Sequence, residues 1–268
     1  MSTTAGISRA RDGAKIALSE VRGAVSAAEW QARLDAAACY RLVAHFGMSD
    51  LVYNHITVRV PGAGERLLIN PFGWMYEEIT ASSLITIDLA GEILLNPHEE
   101  IGINQAGYVI HSAIHGGRAD VGTVIHTHTR AGMAVSAMRC GLLALTQTAM
   151  RCLPVAYHDY EGPAVDPDER ARLVADLGQR NCLILRNHGL LTAAPTTAEA
   201  FNTMYWLEMA CRAQVDAMAA RTELSLPADT VIAHAQHLYR PETRRRFGLL
   251  EWPAMLRLLD RRDPSWRT

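Results

Sequence analysis

Hydrophobic residues recur along the chain with two periods, one typical of amphipathic helices and one typical of strands. Helical spacing predicts four long helices, over 26–47, 104–118, 166–180 and 196–220. Ser26 followed by Glu29 is a capping-box pattern, and Gly47 suits the end of the first helix. A shorter helix-like pattern covers 129–141.

Short alternating or apolar runs between these helices predict strands. They cover 51–60, 66–70, 84–95, 122–128, 152–160 and 182–194, and the third and the last run each contain a turn. Strands that are interleaved with helices predict one α/β domain over 28–222, with extensions at 1–27 and 223–268.

The composition is that of a globular protein, and it excludes some partners. The chain has 268 residues, 49% of them hydrophobic, and its net charge of −2 gives no reason to expect a nucleic-acid partner. No apolar run approaches the roughly 18 residues of a membrane-spanning helix, and the polar N-terminus lacks the apolar core of a secretory signal. We therefore expect a cytoplasmic protein with no membrane partner.

Lysine and cysteine usage narrows the chemistry further. Lys15 is the only lysine, and it lies in the N-terminal extension, which disfavours a Schiff-base mechanism. The five cysteines include no C-x-x-C pair, which disfavours a zinc ribbon, and their odd number disfavours a disulfide framework.

Two histidines stand two residues apart where a β-branched run ends, in GTVIHTH. Residues i and i+2 of a strand point to the same face, so His126 and His128 project together. His188 lies at the turn between two apolar strands. Three histidines from two strand ends suit a divalent cation with open positions, but the spacing is equally compatible with structural histidines at a sheet rim.

A second pair, His111 and His115, is separated by one helical turn. That spacing also permits metal ligation, although no glutamate accompanies the pair as in H-E-x-x-H. We interpret His111 as a core histidine or one that supports the site, and we expect His115 to lie near solvent.

Five segments together resemble the class II aldolase/adducin family. They are YNHITVR (53–59), NQAGYVIHSAIH (104–115), RADVGTVIHTHTRAGMAVSA (118–137), DYEGPAV (159–165) and LILRNHGLLT (183–192). The resemblance implies a three-layer α-β-α domain around a mainly antiparallel central sheet, often in a homotetramer. It also implies that His126, His128 and His188 bind a divalent metal, most commonly zinc, with iron or manganese as alternatives.

The resemblance also assigns substrate-binding positions and shows a departure. Asn54 matches a position that binds an anionic group, and Asn187 stands beside a metal ligand. Sugar-phosphate aldolases of the family carry Ser-Ser-Glu or Ser-Ser-Asp where this chain has Gln105, Ala106 and Gly107. Gln105 is therefore expected to contact substrate, and the carboxylate that acts as general acid/base is absent, because glycine cannot transfer protons.

Other residues could replace that carboxylate. The candidates are Glu100, Tyr160 and His111, with Glu99, Tyr157 and Glu161 as further neighbours in the sequence. The sequence does not choose among them.

These observations predict a metal-dependent, aldolase- or decarboxylase-like lyase for a small oxygenated, carboxylated substrate. Two alternatives remain open at this point. The chain could be a non-catalytic, adducin-like binding module, which the loss of the carboxylate favours, or an iron-dependent oxygenase on the same fold.

Overall fold

The fold of the described residues is built around one nine-stranded sheet. A computed structural model describes residues 14–98, 100–162 and 168–268. The strands of this sheet are β1 (Ala14–Lys15), β2 (His55–Arg59), β3 (Leu67–Ile69), β4 (Ile85–Ile87), β5 (Ile93–Asn96), β6 (Thr123–Thr127), β7 (Ala156–His158), β8 (Cys182–Leu185) and β9 (Gly189–Ala194). Their order across the sheet is β1-β5-β4-β3-β2-β6-β9-β8-β7. Neighbours are antiparallel except at the two edges, where β1 pairs with β5 and β7 with β8 in parallel. The predicted, mainly antiparallel sheet is confirmed.

Helices cover both faces of this sheet. They are α1 (Val21–Ala24), α2 (Ala27–His45), α3 (Gln105–Gly117), α4 (Arg130–Ser136), α5 (Gln147–Cys152), α6 (Glu169–Leu177), α7 (Thr197–Ala219), α8 (Asp229–Leu238) and α9 (Glu251–Arg262). Short 3-10 helices occupy Leu18–Glu20, Tyr76–Glu78 and Pro264–Arg267. The four long helices that the sequence predicts correspond to α2, α3, α6 and α7, whereas α5, α8 and α9 were not predicted.

Alternation along the strands separates two hydrophobic layers. Cys182 and Ile184 of β8 pack on the side of α2 and α7, while Leu183 and Leu185 pack on the side of α3 and α6. The predicted three-layer α-β-α architecture is therefore confirmed, and side chains of β6 divide between its two interfaces in the same way.

The start of α2 differs from the capping box that the sequence predicts. Ser26 Oγ accepts a hydrogen bond from the Glu29 backbone N–H at 3.1 Å, as expected of an N-cap. The Glu29 carboxylate instead forms an ion pair with buried Arg33 at 2.9 Å. Arg33 also donates to the Leu84 carbonyl at 2.8 Å and to Thr86 Oγ1. A buried cation needs such partners, so Glu29 serves to attach α2 to β4 rather than to close its first turn.

The C-terminal segment packs on α2. Trp252 Nε1 donates to the Asp35 carboxylate at 3.1 Å. Trp266 is buried, and its backbone carbonyl accepts a hydrogen bond from the Ala81 N–H at 3.0 Å. The domain boundaries at 28 and 222 stay a prediction. Among the described residues, no helix combines the length and the apolarity needed to cross a membrane.

Candidate metal centre

The end of β6 and the β8–β9 turn bring three histidines together. Val124 packs on the α3 side of the sheet, and His126 follows it on that same face by the two-residue period. Gly189 allows the turn to approach closely, since a Cβ there would lie 2.4 Å from the Thr127 carbonyl oxygen. His188 precedes this glycine, so the close approach places its imidazole beside His126 and His128.

The Nε2 atoms of these three histidines converge on one point. They lie 2.8 Å apart for His126 and His128, 3.0 Å for His128 and His188, and 3.3 Å for His126 and His188. Ligand nitrogens about 2.0–2.1 Å from a tetrahedral zinc ion lie about 3.3 Å from one another. The spacing thus matches three nitrogen ligands of one divalent cation. Among the described residues, these three form the group of side chains that could hold a metal ion.

Hydrogen bonds on the far side of the rings fix two of the tautomers. His126 Nδ1 lies 2.9 Å from the Leu190 carbonyl, and His128 Nδ1 lies 3.0 Å from Asp50 Oδ2. Both partners can only accept, so both Nδ1 atoms carry hydrogen, and each ring in its neutral form presents a lone pair at Nε2. Lone pairs 2.8 Å apart repel each other unless a cation lies between them. The donor set therefore fits a metal ion.

Burial keeps the imidazoles of His126 and His188 neutral. Desolvation lowers the pKa of His126 well below its usual range, and the charges that His128 and His188 can carry lower it further. Burial, with a smaller electrostatic effect of His128, lowers the pKa of His188 to about 4. Neutral imidazole is the form that binds a metal ion, so His126 and His188 are in the binding form at neutral pH.

Asp50 is a residue of the site that the sequence analysis missed. It follows α2 in an irregular segment, and no spacing relates it to the histidines. We expect Asp50→Ala to weaken metal affinity by about tenfold to hundredfold, because carboxylates that orient a metal-binding histidine have effects of that size. The measurement is a competition titration with a chromogenic chelator.

A matched control exists for this prediction. Asp176 Oδ2 lies 2.8 Å from His158 Nδ1 and is about as exposed as Asp50, with 45% and 42% of the side chains accessible. Asp176→Ala removes the same kind of contact away from the centre, so it should leave the affinity unchanged. Equal affinities of both variants would remove Asp50 from the site.

A second group of histidines lies buried beside the first. His55 stands opposite His126 in the β2–β6 ladder, and the two ring centroids are 5.5 Å apart. His55 Nδ1 contacts His111 Nε2 at 2.8 Å, and His111 Nδ1 contacts Thr57 Oγ1 at 2.7 Å. Thr57 Oγ1 in turn contacts His115 Nε2 at 2.8 Å. The expectation that His115 lies near solvent is wrong: it is buried because α3 presses this face onto β2.

These buried histidines predict acid sensitivity of the fold. Burial, with smaller charge effects, lowers the pKa of His55 and of His115 to about 3. The unfolded chain binds protons below about pH 6.5, whereas the folded state does so only near pH 3, so stability falls as the pH falls through this window. Each of the two should cost about 1.4 kcal/mol between pH 7.5 and pH 5.5.

Urea unfolding of chelator-treated protein at pH 7.5 and at about pH 5.5 measures this loss in the free energy of unfolding. His115→Gln should show a smaller difference between the two pH values, by about the contribution of one histidine. A variant with the full pH dependence of the parent would show that His115 titrates normally in the folded state.

The residues predicted to bind substrate are placed differently from one another. Asn54 is buried, its Nδ2 donates to the His126 carbonyl at 3.2 Å, and its Oδ1 has no partner among the described residues. Asn187 is exposed, has a left-handed backbone with φ of 55°, and lies in the turn that carries His188. The side chain of Gln105 lies outside the described residues.

The candidate acid/base residues lie in different surroundings. Tyr160 is exposed, and its ring centroid is 6.4 Å from that of His188. His111 is enclosed between His55 and Thr57. Glu100 is exposed and makes no hydrogen bond or ion pair among the described residues. Of these three side chains, Tyr160 is the one in ring contact with a metal-site histidine. Glu99 lies outside the described residues.

An open hollow of about 510 Å³ adjoins the centre. Tyr160 and Asn187 line it together with Arg139 and Arg186. Arg186 is committed to the Met138 carbonyl at 2.7 Å and lies over the Tyr157 ring. The hollow offers hydrogen-bond donors beside the residue that precedes His188, and the carboxylate of Asp159 lines it together with the two arginines.

Sequence comparison identifies relatives that match most of the chain. The family described as "Class II Aldolase and Adducin N-terminal domain" matches residues 35–215. A Pseudomonas aeruginosa protein named "Putative aldolase class 2 protein" is 49% identical over 253 residues, which cover 92% of this chain and 96% of that protein. Alpha-adducin of Rattus norvegicus is 47% identical over 189 residues, which cover 70% of this chain and 26% of the adducin.

Solved structures of similar fold come from the same kind of protein. An aldolase II superfamily protein from Pseudomonas syringae superposes with a TM-score of 0.87 at 44% identity, over 93% of this chain and 100% of that chain. An L-fuculose 1-phosphate aldolase from Glaciozyma antarctica PI12 shares the fold, with a TM-score of 0.79 at 24% identity over 96% of this chain and 97% of that chain. Fold, histidine cluster and sequence agree, and the chain belongs to the class II aldolase/adducin family.

Proposed function

We propose that this protein is a metal-dependent carbon–carbon lyase of the aldolase or decarboxylase type, acting on a small oxygenated, carboxylated substrate. The observation that carries the proposal is the convergence of the Nε2 atoms of His126, His128 and His188, of which two are fixed as lone-pair donors. An empty cluster of this kind is electrostatically unfavourable, and a structural role needs no such arrangement.

Zinc is the metal that we propose, with iron or manganese as alternatives. Neutral imidazole nitrogens suit all three ions, and three protein ligands leave positions open for substrate oxygens. A bound divalent cation would polarise a carbonyl or hydroxyl group and stabilise negative charge on its oxygen. Class II aldolases typically depend on a divalent metal, which supports the assignment of His126, His128 and His188 as ligands.

The remaining steps fall to other side chains. Asn187, Gln105 and Asn54 are the substrate-binding residues that we propose, and Arg139 in the open hollow would hold the carboxylate of the substrate. Position 107 is a glycine, so this chain has no carboxylate there to act as acid or base. Tyr160 is the strongest of the candidates, since its hydroxyl can hold or release a proton at the rim of the hollow, whereas His111 is enclosed and Glu100 contacts none of the histidines.

Elemental mass spectrometry on untagged protein purified without chelator tests the proposal. We expect about one metal ion per chain, followed by cleavage or decarboxylation of at least one compound in a panel of hydroxy and oxo acids. Zinc would support the lyase. Iron together with oxygen uptake on the same panel would replace it with an oxygenase. Absence of metal, with no gain in thermal stability on adding zinc, iron or manganese, would contradict the metal site itself.

A non-catalytic binding module is the second candidate. The similarity to alpha-adducin and the glycine at position 107 favour it. It predicts metal binding without turnover, or no metal at all, which the same measurements reveal. We further propose a homotetramer in the cytoplasm; light scattering coupled to size-exclusion chromatography tests the oligomer.

A further inference from the structure

Arginines gather around a pocket at the opposite end of β8 from the metal centre. The pocket has a volume of about 400 Å³ and lies where Cys182 begins β8, whereas His188 follows the end of this strand. Among the described residues that line it are five arginines, Arg151, Arg180, Arg240, Arg245 and Arg246. Glu199 is the one acidic side chain in the same described lining. The pocket is therefore strongly positive, and it shares no residue with the three histidines.

The walls of this pocket come from two parts of the chain. Arg151 at the end of α5 and Arg180 just before β8 belong to the domain around the sheet. Arg240, Arg245 and Arg246 follow α8 in the C-terminal segment. Helix α8 contains no buried residue, so little apolar burial holds this segment against the domain. Like charges of both walls line one pocket, and they repel each other unless negative charge lies between them.

Carboxylates of the protein compensate only part of this charge. Arg245 donates two hydrogen bonds to the Glu251 carboxylate, at 2.7 and 2.9 Å. Arg246 lies 3.9 Å from Glu199, at the limit of an ion pair. Arg180 and Arg240 are exposed, and their guanidinium groups make no hydrogen bond or ion pair within the part of the chain that the structure describes. Together with Arg151, they are three cations without a carboxylate.

Arg151 is the cation that its surroundings hold most firmly. Its guanidinium carbon lies 4.3 Å from the centroid of the Trp206 ring and 5.1 Å from that of Tyr239, distances at which an arginine is attracted to an aromatic face. Its Nε is buried and has no hydrogen-bond partner among the described residues. The aromatic rings thus fix a positive charge at the pocket wall for which the described protein supplies no counter-ion.

We propose that this pocket binds the phosphate group of a small molecule. Guanidinium groups match phosphate oxygens with paired hydrogen bonds, and a phosphate monoester carries about 1.5–2 negative charges at neutral pH, which suits three uncompensated arginines. The volume of about 400 Å³ falls within the roughly 300–1,000 Å³ of small-molecule sites, so it has room for more than the phosphate itself. The site is separate from the metal centre and does not rest on the proposed function.

Isothermal titration calorimetry of the full chain with inorganic phosphate, pyrophosphate and AMP, at constant ionic strength, tests the site. Arg151→Met keeps an apolar stem over Trp206 and removes the charge. We expect its affinity for these anions to fall about tenfold to hundredfold, as for a lost hydrogen bond to a charged group. Arg240→Gln should weaken binding as well, and because Arg240 is exposed and unpaired among the described residues, this variant should fold as the parent does.

Arg267→Met is the matched control. Arg267 also lies over an indole ring, 4.1 Å from the Trp266 centroid, but it is paired with Asp260 and does not line the pocket. Its variant should bind the three anions as the parent does. Tighter binding of AMP than of inorganic phosphate would identify a phosphorylated metabolite as the ligand, and equal binding would identify free phosphate.

His188→Ala separates the pocket from the metal centre, where a bound cation would also attract pyrophosphate. Unchanged affinities in this variant support the pocket. Three results would overturn the proposal: no binding of any of the three anions by the parent at millimolar concentration, parent-like affinities of both Arg151→Met and Arg240→Gln, or loss of all anion binding in His188→Ala.

Discussion

His188→Ala is expected to abolish stable metal binding. His126 and His128 remain in this variant, and both would approach the cation from the end of β6 only. Loss of a direct ligand should exceed the tenfold to hundredfold effect of losing a supporting contact, so we expect affinity to fall by at least about hundredfold. At a fixed metal concentration far above the parent dissociation constant, that loss corresponds to about 2.7 kcal/mol of metal-linked stability.

Thermal unfolding with and without added zinc measures this difference directly. The parent should gain thermal stability on adding zinc, and His188→Ala should gain little or none. His45→Ala is the control, because His45 is also partly buried but lies at the end of α2, where its ring meets that of Phe46 edge to face. It should respond to zinc as the parent does. Full zinc occupancy in His188→Ala, measured by elemental analysis, would contradict the assignment of this residue as a ligand.

Local periodicity predicted that His126 and His128 share one face of a strand, but it left a structural role equally open, and only the resemblance to the family singled out the three histidines as metal ligands. The two-residue period of a strand places His126 and His128 on one face, and an apolar pair of strands around a short turn locates His188 at the same edge. Both are properties of neighbouring residues, which the sequence displays directly. The structure places all three Nε2 atoms within hydrogen-bonding distance of one another, as the pattern predicted.

The position of His55 beside His126 could not be predicted in this way. Its position depends on β2 lying beside β6, although 63 residues separate these strands between Arg59 and Thr123. Strand order is a property of the whole sheet and leaves no trace in the alternation of a single strand. Asp50 is similar, because it reaches His128 from an irregular segment. Glu29 was misinterpreted because the local capping pattern does not reveal a buried arginine that competes for the carboxylate.

Gly107→Ala is expected to destabilise the protein by at least about 3 kcal/mol. In an exposed helix interior this substitution is stabilising by up to about 1 kcal/mol, because alanine restricts the unfolded chain and favours the helix. Here the new Cβ would lie 1.8 Å from His55 Nε2 and 2.2 Å from its Cδ2. His55 cannot move away freely, since it is buried and bonded to His111. Overpacking of a core typically costs about 1–3 kcal/mol, and a contact this short belongs at the upper end or beyond.

Gly116→Ala in the same helix provides the matched control. A Cβ at Gly116 meets only the Leu89 Cδ1 atom, at an ordinary contact distance of 3.9 Å. We therefore expect opposite signs for the two substitutions in urea unfolding, with Gly116→Ala neutral or stabilising. The double variant Gly107→Ala/His55→Ala should recover a large part of the loss, because the alanine at 55 removes the ring that collides. Additive costs in this cycle, or a stable Gly107→Ala single variant, would show that His55 does not lie over Gly107 in the folded protein.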